Sequence, residues 1–227
     1  MALYVIGDTH FSELGNKPMD VFEGKWTNYR EKLINGFLST MGDADILVLC
    51  GDFSWGMNLS EALPDFRLLA SFPGRKILLK GNHDYWWTTL SKMRSFLADN
   101  SISNIDFLHN NCYFYEDMIL CGSRGWHNED CDQKIFNREL IRLEASLKAA
   151  EADRQGREIV CFLHYPPFDK AAGASPFTEL IRAYGVKRCF YGHLHGHSIK
   201  NAFCGELDGV YYSLISADAI GFRPVLI

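Results

Sequence analysis

The stretch DILVLCGD, residues 45–52, holds five apolar residues between an aspartate and a Gly51-Asp52 pair. A run so short and so uniformly apolar reads as a buried strand, and glycine followed by aspartate marks where it stops. ALYVIGD at 2–8 and KILLKGNHD at 76–84 repeat the arrangement. Amphipathic stretches around 25–41, 59–71 and 88–98 lie between or after these runs and read as helices. Strands alternating with helices predict an α/β fold.

Further along, NIDFLHNNCYFYEDMILCGSRGW at 104–126 reads as three short strands, with turns at Asn110-Asn111 and Glu116-Asp117. A helix follows over 135–154, where Phe136, Leu140, Leu143, Leu147 and Ala150 recur at helical spacing and Arg, Glu and Lys fill a face expected to be solvated. REIVCFLHYPP at 157–167 and KRCFYGHLHG at 187–196 are strands, with a short helix near 176–184 between them. SIKNAFCGEL at 198–207 and GVYYSLIS at 209–216 read as antiparallel strands, and the Gly-rich DKAAGASP at 169–176 as a mobile loop. No linker or repeat interrupts the chain, so the expectation is one domain over 1–227: two mixed β-sheets packed together, with helices outside.

The 227 residues suffice for a sizeable core, and 47% apolar with 22% charged residues is ordinary for a globular chain. A formal charge of -5 argues against tight non-specific binding to nucleic acid, and no segment calls for a membrane. Seven cysteines without a C-x-x-C pair, three of them in or beside apolar strands (Cys50, Cys161 and Cys189), suggest reduced thiols. ALYVIGDTH lacks the length and the cation of a secretory signal. The expected location is cytoplasmic.

The polar residues fall at strand ends, where ligands gather in α/β sheets. Asp8 and His10 end the first run, Asp52 the second, Asn82, His83 and Asp84 the third, His164 a fourth, and His193 and His195 a fifth. Glycine precedes four of these five clusters. One such aspartate is ordinary turn or cap chemistry. Five strand ends bearing only oxygen and nitrogen donors point to metal, and there are more donors than one ion needs. Two ions held close together suit in-line displacement at phosphorus. Mixed imidazole and carboxylate donors favour manganese, iron or zinc over calcium or magnesium.

In order, Asp8-Thr9-His10, Gly51-Asp52, Gly81-Asn82-His83-Asp84, His164 and Gly192-His193-Leu194-His195 resemble the motifs of the calcineurin-like metallophosphoesterase superfamily, particularly its small bacterial predicted phosphohydrolases. The resemblance implies a four-layer sandwich of two sheets flanked by helices, and a phosphoester hydrolase. By it, Asp8, His10 and His195 hold one metal, Asn82, His164 and His193 hold the other, and Asp52 bridges them, with a metal-bound hydroxide as nucleophile. His83 contacts the phosphate and assists the leaving group, its ring oriented and kept charged by Asp84. Where protein serine/threonine phosphatases carry an Asp-Arg pair after the second motif, this chain reads GDFSWGM, so protein phosphatase activity is not implied.

Around these motifs, Trp55, Trp86 and Trp126 are candidates for stacking on a flat substrate group, and Arg124 for clamping a phosphate. Each has a plainer reading, the tryptophans as core and Arg124 as half of a salt bridge. His127 and His197 are placed at the substrate rim. The expected substrate is a phosphorylated small molecule or nucleotide, cleaved as a monoester, a diester or a pyrophosphate. A metal-binding regulatory or interaction module without turnover is the alternative. No cysteine has an arginine six positions on, and Met57-Asn58 replaces the Lys-Ser/Thr of a P-loop, so those phosphate chemistries are excluded.

Overall fold

The computed structural model describes residues 1–15, 17–127, 132–168 and 173–227. One sheet is built from β1 (Leu3–Ile6), β2 (Ile46–Cys50), β3 (Arg75–Leu79) and β4 (Ile105–Phe107), successive strands pairing in parallel. Helices α1 (Tyr29–Thr40), α2 (Leu59–Ser71) and α3 (Leu90–Asp99) make the crossovers. The second sheet begins with β5 (Tyr113–Tyr115) and β6 (Met118–Ser123), and α4 (Gln133–Glu151) leads to β7 (Glu158–Leu163). After α5 (Pro176–Ala183) come β8 (Arg188–Tyr191), β9 (Gly205–Leu207) and β10 (Val210–Leu214). This sheet runs β5-β6-β7-β8-β10-β9, antiparallel at both edges. A short β11 (Val225–Leu226), not expected from the sequence, pairs antiparallel with β1.

Side chains alternate along each strand, and the alternation separates three apolar layers. Leu47, Leu49 and Leu78 face α1, α2 and α3, while Val5, Val48, Cys50, Ile77 and Leu79 face the other sheet and meet Leu120, Val160 and Phe162. On the far side Ile159, Cys161 and Cys189 pack against Leu143 and Leu147 of α4 and Ile181 of α5. The result is the expected four-layer sandwich, with two mixed sheets of five and six strands inside helical layers.

Two details differ from the sequence reading. Gly196–Asn201 is a 3-10 turn rather than strand, so only Gly205–Leu207 of 198–207 pairs with β10. On the polar side of α4, Glu139 is fully buried, and Arg124, Arg138 and Arg142 lie within ion-pair distance of it. Residues 169–172 of the expected DKAAGASP loop lie outside the described residues.

Lys76 of β3 is also buried, its Nζ donating to the Phe72 carbonyl just past α2, and burial pulls its pKa from 10.5 down to about 8. Between those values the unfolded chain holds a proton that the folded one lacks, so stability rises with pH. Relative to Lys76→Met, the protein should gain up to ~3 kcal/mol across that window. Urea unfolding of both proteins at pH 7.5 and pH 10.5 measures the difference.

Candidate metal centre

The two sheets meet at their carboxyl edge. Gly7 N–H donates to the Ile215 carbonyl and Ala217 N–H to the Gly7 carbonyl, tying β1 to the end of β10. Asp8 N–H reaches the Gly51 carbonyl, His10 N–H the Asp52 carbonyl and Gly192 N–H the His164 carbonyl. These bonds bring the polar strand ends of both sheets into one crevice.

Asp8, His10, Asp52 and His193 all have left-handed backbones, with φ of 56°, 48°, 51° and 71°. That region is disfavoured for residues bearing a Cβ, and its use at strand ends turns these side chains into the crevice. The preceding glycines serve a second purpose. A Cβ on Gly81 would lie 2.1 Å from Asp52 Oδ1, and one on Gly192 2.6 Å from Asp8 Oδ2. Glycine is required there for close approach, while the positive φ falls on the polar residues themselves.

Donor atoms of Asp8, His10 and His195 all lie within 4.8 Å of one another, as do those of Asp8, Asp52 and His164. Asp52 Oδ2 is 3.7 Å from His10 Nε2 and 3.5 Å from His164 Nε2. Asn82 Oδ1 is 2.7 Å from His164 Nε2 and 2.9 Å from His193 Nδ1. Every residue expected to bind metal therefore reaches this crevice. Buried polar atoms normally find partners. Here Asp52 Oδ2 and both ring nitrogens of His10 are buried without a hydrogen bond, as a cation-binding set would be.

Electrostatics point the same way. Burial, with Asp218 and Asp84 nearby, pushes Asp8 up to about 8, and burial with Asp84 and Asp8 raises Asp52 well above the usual carboxylate range. Burial likewise holds His10 and His164 well below the ordinary imidazole value and brings His193 to about 3, so the rings are neutral donors. A cation among these groups favours the ionised carboxylates and coordinates the neutral rings. The donor set fits a metal centre.

The surroundings correct several expectations. Asp84 does not hold the His83 ring: its two oxygens accept from Asp52, Phe53, Ser54 and Gly81 N–H and from Trp86 Nε1. His83 instead has the Tyr85 hydroxyl 3.4 Å from its Nδ1. Burial, with His195 and Lys17 nearby, lowers its pKa, the opposite of the shift expected from a carboxylate partner. Trp86 is buried against Phe53 and Phe66, as core. Trp55 stacks on His10 with ring centroids 4.9 Å apart, and Lys17 lies over the same ring. Trp86 therefore offers no free face for a base, and one face of Trp55 is taken by His10. The Arg124 guanidinium pairs with Glu139 at 2.9 Å and stacks on Trp126 at 4.5 Å, as a salt bridge rather than a phosphate clamp. His127 stands beside the centre, its ring 5.5 Å from His193, whereas His197 is exposed on the 3-10 turn.

Sequence reasoning passed over Trp26, which is 5.7 Å from His195, and Tyr165, whose ring lies 4.2 Å from His193. It also missed Asp218, a buried carboxylate with Oδ1 unpartnered and Oδ2 accepting from Gly196 N–H. Tyr165 directly follows His164, a signal available in the sequence, but nothing local marks Trp26 or Asp218.

Comparisons with known proteins agree with this geometry. The profile of the calcineurin-like phosphoesterase family matches residues 1–197. No curated protein matches. Among solved structures, a phosphopantetheinyl hydrolase from Mycobacterium tuberculosis is 14% identical with a TM-score of 0.63, the alignment covering 99% of this chain and 95% of that one. A Thermus thermophilus protein is 14% identical at a TM-score of 0.59, over 100% and 99% of the chains. A protein of unknown function from Aquifex aeolicus is 16% identical at 0.51, over 99% and 95%. At such identities the structures establish the fold alone. The motif order, the crevice and the family profile converge: this chain belongs to the calcineurin-like phosphoesterase family and is a metal-dependent hydrolase of phosphoester bonds.

Proposed function

We propose that the chain hydrolyses a phosphorylated small molecule or nucleotide at a dinuclear centre. The observation that carries this is the set of buried, unpartnered donors on His10 and Asp52, clustered with Asp8, His164 and His195. Asp8, His10 and His195 would hold one ion, Asn82, His164 and His193 the other, and Asp52 both. When bound, manganese, iron or zinc supplies Lewis-acid stabilisation of phosphoryl oxygens and lowers the pKa of water.

The chain's own residues do the rest. In its protonated form His83 directs Nδ1–H toward the Tyr85 hydroxyl and presents Nε2–H, the proton it passes to the leaving oxygen. An anionic phosphate beside the ring favours its protonated form and offsets the effect of Lys17. Trp55, stacked on His10, shields that ligand from water. Strand-borne thiols at Cys50, Cys121, Cys161 and Cys189, all buried and unpaired, support a reducing compartment, the cytoplasm. Among the described residues no helix is long and apolar enough to cross a membrane. The apolar layer shared by both sheets supports treating 1–227 as one unit.

Stripping the protein of metal and reloading manganese, iron or zinc separately tests the reading, with a nitrophenyl monoester, a bis-nitrophenyl diester and a nucleotide pyrophosphate as substrates. The phosphopantetheinyl hydrolase neighbour supports adding a phosphopantetheinyl ester. Turnover should appear on reloading and vanish on stripping, and the preferred ester identifies the bond cleaved. Two bound ions with no turnover on any of these compounds would leave a hydrolase of narrow specificity or a metal-binding regulatory module, and a wider screen of nucleotides then separates them.

A further inference from the structure

The loop between β1 and α1 carries Lys17 to the mouth of the crevice. Its Nζ lies 5.1 Å from the Trp55 ring centroid and 5.9 Å from that of Tyr85. Trp55 in turn stacks on His10, and its centroid is 4.5 Å from that of the His83 ring. The ammonium is thus one indole removed from both a candidate ligand and the candidate proton donor. Half-exposed Tyr85 flanks the same opening.

The ammonium makes no ion pair among the described residues, and its hydrogen-bond contact is the Met57 sulfur at 4.0 Å. Carboxylates do line the adjoining cavity of about 90 Å³, but they are engaged elsewhere. Glu61 accepts from Met57 N–H and the Asn58 amide, and Asp65 accepts from Ser54 and from Glu13 N–H. A cation held over aromatic faces with no ion pair among the described residues, beside a site for phosphate, is placed to meet a second negative charge. Trp55 separates it from His10, so that charge belongs to the part of the substrate lying outward of His83, on the leaving-group side.

Resting on the phosphoester reading above, we propose that Lys17 is a specificity residue. It selects substrates whose leaving portion carries its own anionic group, a carboxylate or a further phosphate.

Two ligands of matched length separate this from general phosphate binding: glycerol 3-phosphate, neutral at the far end, and 3-phosphoglycerate, which bears a carboxylate there. Calorimetric titration of each into the metal-reloaded full chain needs no turnover. The wild-type protein should bind 3-phosphoglycerate about tenfold more tightly, the size expected of one charged hydrogen bond. Lys17→Gln should equalise the two ligands and Lys17→Arg should keep the preference. Equal binding by the wild type, or a preference surviving in Lys17→Gln, overturns the role of Lys17 while leaving the phosphate site intact. Binding of neither ligand removes the phosphate site, and the proposal with it.

Discussion

Asp52→Asn should lower metal-stimulated turnover by about 10²–10³-fold and release at least one of two bound ions per chain. Asp52 follows β2 with φ of 51° and is buried, so it cannot swing to solvent. Its Oδ1 accepts the His83 N–H at 2.7 Å, which aims Oδ2 between His10 and His164. A carboxylate can neutralise and bridge two cations, whereas a carboxamide offers one neutral oxygen and a nitrogen that does not ligate. Because the substitution keeps the shape, the fold should survive, and elemental analysis beside unfolding curves separates metal loss from unfolding. A folded Asp52→Asn protein retaining both ions and full turnover would remove the bridging role.

Asp84→Asn should act on stability, costing about 3 kcal/mol, and Asp84→Ala should cost more, enough to approach the whole stability of a typical domain. Four backbone N–H groups and the Trp86 indole N–H converge on the two Asp84 oxygens. Asparagine turns one acceptor into a donor facing N–H groups, and alanine leaves all five buried donors without a partner. Each unsatisfied buried donor costs about 1–3 kcal/mol. Denaturant midpoints of the two variants measure this, with circular dichroism to follow any loss of fold. Unchanged stability in Asp84→Asn, with only activity lost, would return Asp84 to the catalytic role that the sequence suggested.

That contrast shows where local reading stops. GNHD gives no sign of which neighbour a carboxylate serves. Asp84 lies one residue from His83 in sequence, yet it folds back on the turns after β2 and β3, because five N–H groups there need an acceptor. The charged face of α4 misled in the same way. Helical periodicity marked Phe136, Leu143 and Leu147 as core, but Glu139 is buried because Arg124, from the end of β6, pairs with it.

Strands, helices and the chemistry at strand ends were legible because each is written in a window of a few residues. Apolar runs bury, amphipathic runs pack one face, and a glycine before a polar residue marks where a strand must turn. Helix α2 at Leu59–Ser71 matches its expected span, and the ligand types at all five strand ends lie in one crevice. From the sequence alone one could read the fold class, the donor set and the phosphoester chemistry that the motif order implies. Only the tertiary structure decided which donors face one another, that Trp86 is core, that Trp55 stacks on His10, and that Trp26, Tyr165 and Asp218 border the centre. Those relations depend on two sheets packed face to face and joined at their carboxyl ends, through bonds such as Gly7 to Ile215. Contacts between residues two hundred positions apart are set by how layers pack, and no short window of sequence records that.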